Sequence, residues 1–443
     1  MRKALLIAAL FVSTLISLPA ERTGYPPEEF IARRKALASA LGEGTVVLFG
    51  KTMPAVGVRF RQDNDFYYFT GNEDLNAVFV MDAETADSWL FLPSQNAGEI
   101  RSDGKNWLTS GEAASRGYKD ILPLTELNEF LARRRVWGTS KAPVLWTRLS
   151  EPGEVDAGRR DSSIDLARRY NNPLGAQESE DGWRAGMLRT RYPAFELKDA
   201  TTAIDQLRVI KTPREIEILK RNGRISAEAI RKAIEITRPG RYEYELEAEA
   251  TYHLLKNGVQ GNGYPAIVGT GPNVNVWHYQ NSGRQMQAGD LVVMDYGGSL
   301  DYQVIDITRT WPVSGRFDDL QLKAYRCALE TQKAIIAAMR PGATRQQTRD
   351  LAKAIYDKYG FGDQPPTGAG HFVGMSVHDV GDPREPFKAG MVIAVEPIIE
   401  MPDKQLHVRI EDTVLVTDGD PLILSAAVPK EVDEILKLLK GQS

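Results

Sequence analysis

Between residues 23 and 146, short unbroken apolar runs alternate with an amphipathic stretch. TVVLF at 45–49, AVFVM at 77–81 and WLFL at 89–92 lack the polar alternation of half-exposed strands, so they predict strands covered on both faces. Pro27 to Ala40 has the spacing of an amphipathic helix. The pattern is that of a small α/β domain. Between the first two runs stands RQDNDFYYFTG, Arg61 to Gly71, polar and then aromatic. It reads either as a strand entering a turn or as a loop facing a ligand. Residues 151–183 are polar and broken by Gly, Asn and Pro, which predicts a surface connection.

Beyond residue 197 the pattern changes and then repeats. Thr212, Pro213 and Glu215 make a capping box with proline at the first helical position. The helix they open carries Ile216, Leu219, Ile230 and Ile234 and stops at Arg238-Pro239-Gly240. A second helix begins near Tyr242, and a glycine-rich stretch leads to YPAIVGTG. The plan recurs with a helix from about Asp319 to Arg340, Pro341-Gly342, another helix to Tyr359, and glycine-rich strands. AGDLVVMD at 288–295 aligns with AGMVIAVE at 389–396, and IDITRT at 305–310 resembles IEDTVL at 410–415. TRPG at 237–240 is echoed by MRPG at 339–342, and His278 and His378 stand 100 residues apart. This is a duplication. It predicts an α/β chain of α+β arrangement: an amino-terminal domain over 23–196, then a pseudo-twofold domain over 197–443 with its site on the axis.

The length of 443 residues agrees with two domains. Lys plus Arg number 55 against 59 Asp plus Glu, and no basic block argues for nucleic acid as a partner. The single cysteine, Cys327, excludes an internal disulfide and a thiolate-rich metal site, and fits a small apolar residue in a buried helix. Residues 1–20 have a basic start, an apolar run from Ala4 to Leu18, and Pro19-Ala20 before a polar turn. They predict a signal peptide, and with it a secreted or periplasmic protein with no membrane span after cleavage. The apolar run is shorter than the ~20 residues a spanning helix needs.

The duplication places Asp295 over Glu396 and Asp306 over Glu411. Carboxylates set into apolar strands are costly unless paired or bound to a cation. Three of the five histidines, His278, His371 and His378, fall in the same region, and His371 has no histidine counterpart in the first half. That asymmetry suggests a ligand that distinguishes two similar half-sites. Four carboxylates and an imidazole form a hard, oxygen-rich donor set suited to Mn2+, Co2+ or Zn2+. Four converging negative charges make two divalent ions the natural count.

VVMDYGG, DITRTWPV, GHFVGMSVHDVG at 370–381, AVEPII at 394–399 and RIEDTVLVT at 409–417 resemble the metallopeptidases of the pita-bread fold. RQDNDFYYFTG and LRVIKTPREIEILK narrow the resemblance to the Xaa-Pro aminopeptidase (aminopeptidase P) and prolidase branch. It covers nearly all of the chain after residue 20. The resemblance implies Asp295, Asp306, His371, Glu396 and Glu411 as ligands of two divalent ions, Mn2+ first with Zn2+ and Co2+ as alternatives. Asp306 and Glu411 would bridge, Asp295 would serve one ion, and His371 with Glu396 the other. It further implies Glu396 as a proton shuttle, His278 and His378 as substrate-binding histidines, and Arg409 as an orienting arginine. Tyr67 falls where relatives carry an aromatic that approaches a neighbouring subunit, so a homo-oligomer is expected. EPIIE departs from the family's EPG-aromatic pattern, and the segment from Gly381 to Ala389 is shorter than in prolidases, with Arg384 as a substitute for their carboxylate-binding arginine. The expected activity is release of the residue before proline from Xaa-Pro-peptides. Cleavage of Xaa-Pro dipeptides is the alternative, and a metal-free binding module, which would lack the ligands, the third reading.

Overall fold

The structure, a computed structural model, describes residues 24–52, 59–137, 143–175 and 178–440. The expected leader lies outside the described residues. Among the described residues no helix is long and apolar enough to cross a membrane.

The three apolar runs become β1 (Thr45–Phe49), β2 (Val78–Asp82) and β3 (Ser88–Leu92), an antiparallel set buried almost throughout. Parallel additions of β4 (Asp120–Pro123) beside β3, and of β5 (Val144–Thr147) and β6 (Glu196–Asp199) beyond β1, complete a six-stranded sheet. Helix Pro27–Leu41 is tied to neighbouring segments of this domain by Arg34, whose guanidinium donates to the carbonyls of Phe69, Arg116 and Gly117.

Two sequence expectations change here. RQDNDFYYFTG is neither strand nor ligand loop: Asn64–Thr70 is a short buried helix capped by Asp63, which accepts the Phe66 N–H at 2.9 Å. The aromatic run suits a helix buried on every side. Tyr67, expected near a neighbouring subunit, is fully buried in its own chain and stacks on Tyr302 at 3.5 Å with rings 4° from parallel. Residues 151–183 do more than connect: they hold the helix Arg159–Tyr170 and the start of the helix Glu180–Arg191, and two of their charged side chains, Arg159 and Asp181, are buried. Arg148 and Arg159 close on Asp65, a buried carboxylate that also receives Arg208 at 2.7 Å. Arg208 in turn reaches Asp379.

In the carboxy-terminal part the capping box at Thr212 and Glu215 forms, opening the helix Pro213–Ile236. It packs on the helix Glu243–Lys256, as Asp319–Ala338 packs on Arg345–Tyr359 in the second half. The strands of the first half are β7 (Gly261–Asn262), β8 (Ile267–Thr270), β9 (Leu291–Asp295), β10 (Gly298–Leu300), β11 (Gln303–Val304) and β12 (Thr308–Pro312). Those of the second are β13 (Val392–Val395), β14 (Ile398–Met401), β15 (Leu406–Arg409), β16 (Asp412–Leu415) and β17 (Leu422–Ile423). The central strand pairs are antiparallel in both halves, β9 with β12 and β13 with β16.

The duplicated halves meet along β12 and the β15–β16 segment. Thr310 exchanges hydrogen bonds with the Arg409 backbone, and the Glu411 N–H donates to the Thr308 carbonyl at 2.9 Å. The Asp306 N–H donates to Thr413 Oγ1, also at 2.9 Å. One register therefore joins 306 to 413, 308 to 411 and 310 to 409, and both acidic positions sit on the seam. Cys327 is buried in its helix.

Candidate metal centre

β9 ends at Asp295, and its register places Asp295 opposite Thr308. In the second half Val395 pairs with Asp412, so Glu396 comes opposite Glu411. The two half-sites are related yet offset by two residues. Behind the seam, the Thr308 hydroxyl donates to Glu411 Oε2 at 2.6 Å, and the Thr413 hydroxyl donates to the Asp306 carbonyl at 2.7 Å. Each half thus supplies the threonine that steadies the other half's acidic residue. Arg309 lies further back, fully buried, donating to the Glu411 carbonyl at 2.6 Å and to Asp412 at 2.7 Å.

Asp306, His371 and Glu411 offer donor atoms that all lie within 4.8 Å of one another. His371 Nε2 stands 3.4 Å from Asp306 Oδ2 and 3.7 Å from Glu396 Oε1. Its Nδ1 faces the Phe372 carbonyl at 3.1 Å, which takes the ring proton and leaves the Nε2 lone pair toward the carboxylates. Burial and the adjacent His378 push its pKa down to about 3, so the imidazole is neutral, the state in which it ligates. Arg409 donates to Asp295 Oδ2 at 2.9 Å and is buried. His378 packs its ring 4.3 Å from that of His371. These residues are brought together.

The structure leaves two candidates outside. His278 is solvent-exposed and, among the described residues, makes no hydrogen bond or ion pair with the carboxylates. Its segment follows a short helical turn, Gly271–Asn275, whose register the strand pattern does not set. Arg384 is exposed and paired with Asp382 at 2.7 Å, so its charge is already engaged at the surface.

Three participants went unseen in the sequence. Tyr264 sets its hydroxyl 2.6 Å from both Asp295 Oδ1 and Asp306 Oδ1. Its place in YPAIVGTG, a glycine-rich approach inside the duplicated region, was the available signal. Asp161 lies 2.8 Å from His378 Nδ1. Glu243, fully buried, accepts from Thr270, Asn273, Tyr279 and the Arg284 N–H, and so ties both ends of the loop that carries His278.

The electrostatics favour a cation. Burial and mutual repulsion raise the carboxyls of Asp306 and Glu411 well above the usual carboxylate range. For Asp306 the repelling neighbours are Asp295 and Glu396; for Glu411 they are Asp306, Glu396 and Asp295. Burial likewise raises Glu396, against the pull of Arg409. Glu411 Oε1 is buried and has no hydrogen-bond partner among the described residues. A carboxylate oxygen aimed without a donor into a cluster of like charge, beside a neutral imidazole, is the donor set of a divalent metal and is poorly satisfied without one. The residues fit the group.

Comparison with known proteins agrees with this chemistry. Residues 217–418 match the model of metallopeptidase family M24, and residues 30–140 match the aminopeptidase P N-terminal domain. The chain is 33% identical over 457 residues to the Xaa-Pro aminopeptidase of Haemophilus influenzae, covering 94% of this chain and 97% of that one. It is 34% identical over 352 residues to the Xaa-Pro dipeptidase of Pyrococcus horikoshii, covering 78% of this chain and 95% of that one. The solved structure of aminopeptidase P from Escherichia coli with the inhibitor Pro-Leu superposes with a TM-score of 0.78 at 26% identity, over 94% of this chain and 98% of that one. With its carboxylate and imidazole cluster placed on the seam of a duplicated domain, the chain belongs to metallopeptidase family M24, in the form that carries an aminopeptidase P amino-terminal domain.

Proposed function

We propose that this protein is a metal-dependent Xaa-Pro aminopeptidase that releases the residue preceding proline from peptides, using two divalent ions, Mn2+ first among the candidates. The observation that carries it is the convergence of Asp306, His371 and Glu411, with Glu411 Oε1 buried and unpartnered among the described residues. Asp306 and Glu411 would be shared between the ions, Asp295 would hold one of them, and His371 with Glu396 would hold the other. Divalent ions supply Lewis acidity to a peptide carbonyl and acidify water enough to make it a nucleophile at neutral pH.

The chain's own residues do the rest. An Xaa-Pro bond has no N–H for a protease to grip, and its leaving nitrogen must be protonated. Glu396, whose carboxyl burial holds above its ordinary value, takes the proton released by water and delivers it to the proline nitrogen. Arg409 orients Asp295 through its 2.9 Å hydrogen bond, and Tyr264 spans Asp295 and Asp306. His378, half-exposed beside His371, is positioned to donate to the substrate carbonyl oxygen.

The aminopeptidase is favoured over the dipeptidase by the amino-terminal domain match and by the short Gly381–Ala389 segment. The features of residues 1–20 support export, and the family resemblance supports a homo-oligomer, which light scattering would measure. Metal-stripped protein should be given Mn2+, Zn2+ or Co2+ in turn and assayed on an Xaa-Pro-Yaa tripeptide and an Xaa-Pro dipeptide. Release of Xaa from the tripeptide, abolished by Asp306→Ala, is the expected result. Cleavage confined to the dipeptide would transfer the assignment to the dipeptidase.

A further inference from the structure

His378 is held from behind by a carboxylate that the amino-terminal half of the chain supplies. Asp161 Oδ2 lies 2.8 Å from His378 Nδ1. The carboxylate is itself fixed, because Asp161 is the third residue of the helix Arg159–Tyr170 and the same oxygen accepts the Gly158 N–H at 3.0 Å. A helix N-terminus also favours negative charge there. The approach is close: a β-carbon on Gly158 would fall 1.8 Å from the His378 carbonyl oxygen. Nearby, the Val377 N–H donates to the Val155 carbonyl at 2.9 Å, and the Asn64 amide reaches both the Gly153 carbonyl and Ser376. Residues 153–161 are therefore laced along 376–378 and hold a fixed register against them.

The side chain of His378 keeps 40% of its surface exposed. Packing against His371 bounds one side of the ring, and the hydrogen bond to Asp161 anchors its Nδ1 edge. With Nδ1–H donated to the carboxylate, the Nε2 edge of the ring is the one left facing a substrate, where an Nε2–H donates to a carbonyl oxygen.

We propose that Asp161 is a positioning residue for His378, holding the imidazole in one orientation with its Nε2 edge toward the substrate carbonyl. This deepens the peptidase reading above and rests on it for the identity of the substrate. Asp161 touches neither substrate nor reacting atoms and acts through the ring it holds.

The test compares wild type with Asp161→Ala, Asp161→Asn, His378→Ala and the double variant Asp161→Ala/His378→Ala. Two readouts are used: tripeptide kinetics, and 15N-histidine NMR of the zinc-loaded proteins, with the His378 signal assigned by its loss in His378→Ala. Asp161→Ala should lower kcat by about 10–100-fold, the usual effect of removing a histidine's carboxylate partner, with KM changed less than about twofold. Asp161→Asn keeps an oxygen that can accept Nδ1–H and should recover most of kcat. The double variant should be no slower than His378→Ala, since one effect passes through the other. The signal of a His378 Nδ1–H held by an acceptor, present in wild type and Asp161→Asn, should be lost in Asp161→Ala. Wild-type kcat in Asp161→Ala, losses that multiply in the double variant, or an unchanged His378 signal would each overturn the proposal. Should wild type release nothing from the tripeptide, the peptidase reading fails, while the NMR comparison still decides whether Asp161 orients His378.

Discussion

Replacing Asp65 with asparagine isolates the contribution of the buried ion cluster that joins the amino-terminal domain to the catalytic one. Asp65 is 1% exposed and lies 2.7 Å from each of three guanidiniums: Arg159, Arg208 and Arg148. Their second carboxylates are Asp205, Asp379 and Asp63 respectively, and Asp181 also meets Arg148; with Lys211 on Asp379 and Arg184 on Asp181, five cations face five carboxylates when Asp65 is charged. Asparagine keeps one acceptor oxygen but leaves a surplus buried cation and turns an amide donor toward other donors. Breaking a buried ion pair from one side costs about 3–5 kcal/mol, and that is the loss expected here. Burial alone would raise the Asp65 carboxyl, but Arg159, Arg208 and Arg148 outweigh it and hold the pKa well below the usual range. A carboxyl depressed in the folded state contributes stability that is present above its unfolded pKa, about 4, and is lost as pH falls. The gap between wild type and Asp65→Asn should therefore be full at pH 7.5 and shrink as pH falls below about 5. Urea denaturation followed by tryptophan fluorescence at pH 7.5, 5 and 3.5 measures both effects, with Asp165→Asn, in an exposed pair with Arg168, as the neutral comparator. A loss under about 1 kcal/mol, or a gap that stays constant with pH, would refute the reasoning.

Other consequences can be checked with equal directness. Glu411→Gln should abolish tight binding of the second metal equivalent in calorimetry, yet raise the melting temperature of the metal-free protein, because it removes one of the repelling charges around Asp306. Gly158→Ala should leave the protein folded but lower kcat, since the added carbon would meet the His378 carbonyl at 1.8 Å and displace that residue. Burial depresses the pKa of His407, against the pull of Glu400. Its contribution to stability should be complete above about pH 6.5 and decline below it, and thermal melts of His407→Phe between pH 7.5 and 5 should lack that component. Glu243→Gln should weaken the loop 270–284 and raise KM for the tripeptide more than it lowers kcat, because it loosens the loop bearing exposed His278 while leaving the carboxylate cluster intact.

Legibility in the sequence followed the range of the interactions involved. The apolar runs at 45–49, 77–81 and 89–92 were readable because burial of a strand is written in its own residues. Thr212 and Glu215 were readable because a capping box spans four positions. Asp295, Asp306, Glu396 and Glu411 stood out because a duplication gives each acidic residue a comparison within the same chain. The helix Asn64–Thr70 was missed because its surroundings come from elsewhere: Tyr302 stacks on it, and its cap Asp63 and its own Asp65 are met by Arg148, more than eighty residues away. Residues 151–183 read as a solvated connection because polar composition does not tell whether the partners are water or distant side chains. Arg159 meets Asp65 and Asp161 meets His378, both across long separations. Tyr264 was invisible for the same reason, since its two acceptors lie 31 and 42 residues further on.

The exchange of threonines across the seam bears on how the chain matures. Thr308 steadies Glu411 and Thr413 steadies Asp306, so each acidic residue is fully positioned only when the other half arrives, although Tyr264 already reaches Asp306 from within the first. A chain with only one half ordered offers scattered carboxylates of ordinary affinity. Metal affinity is thus a property of docking, and the free energy of binding is drawn on to join the halves, not to fold either one. Tight metal uptake then serves as a late checkpoint in maturation, passed only by molecules whose two halves have already found each other.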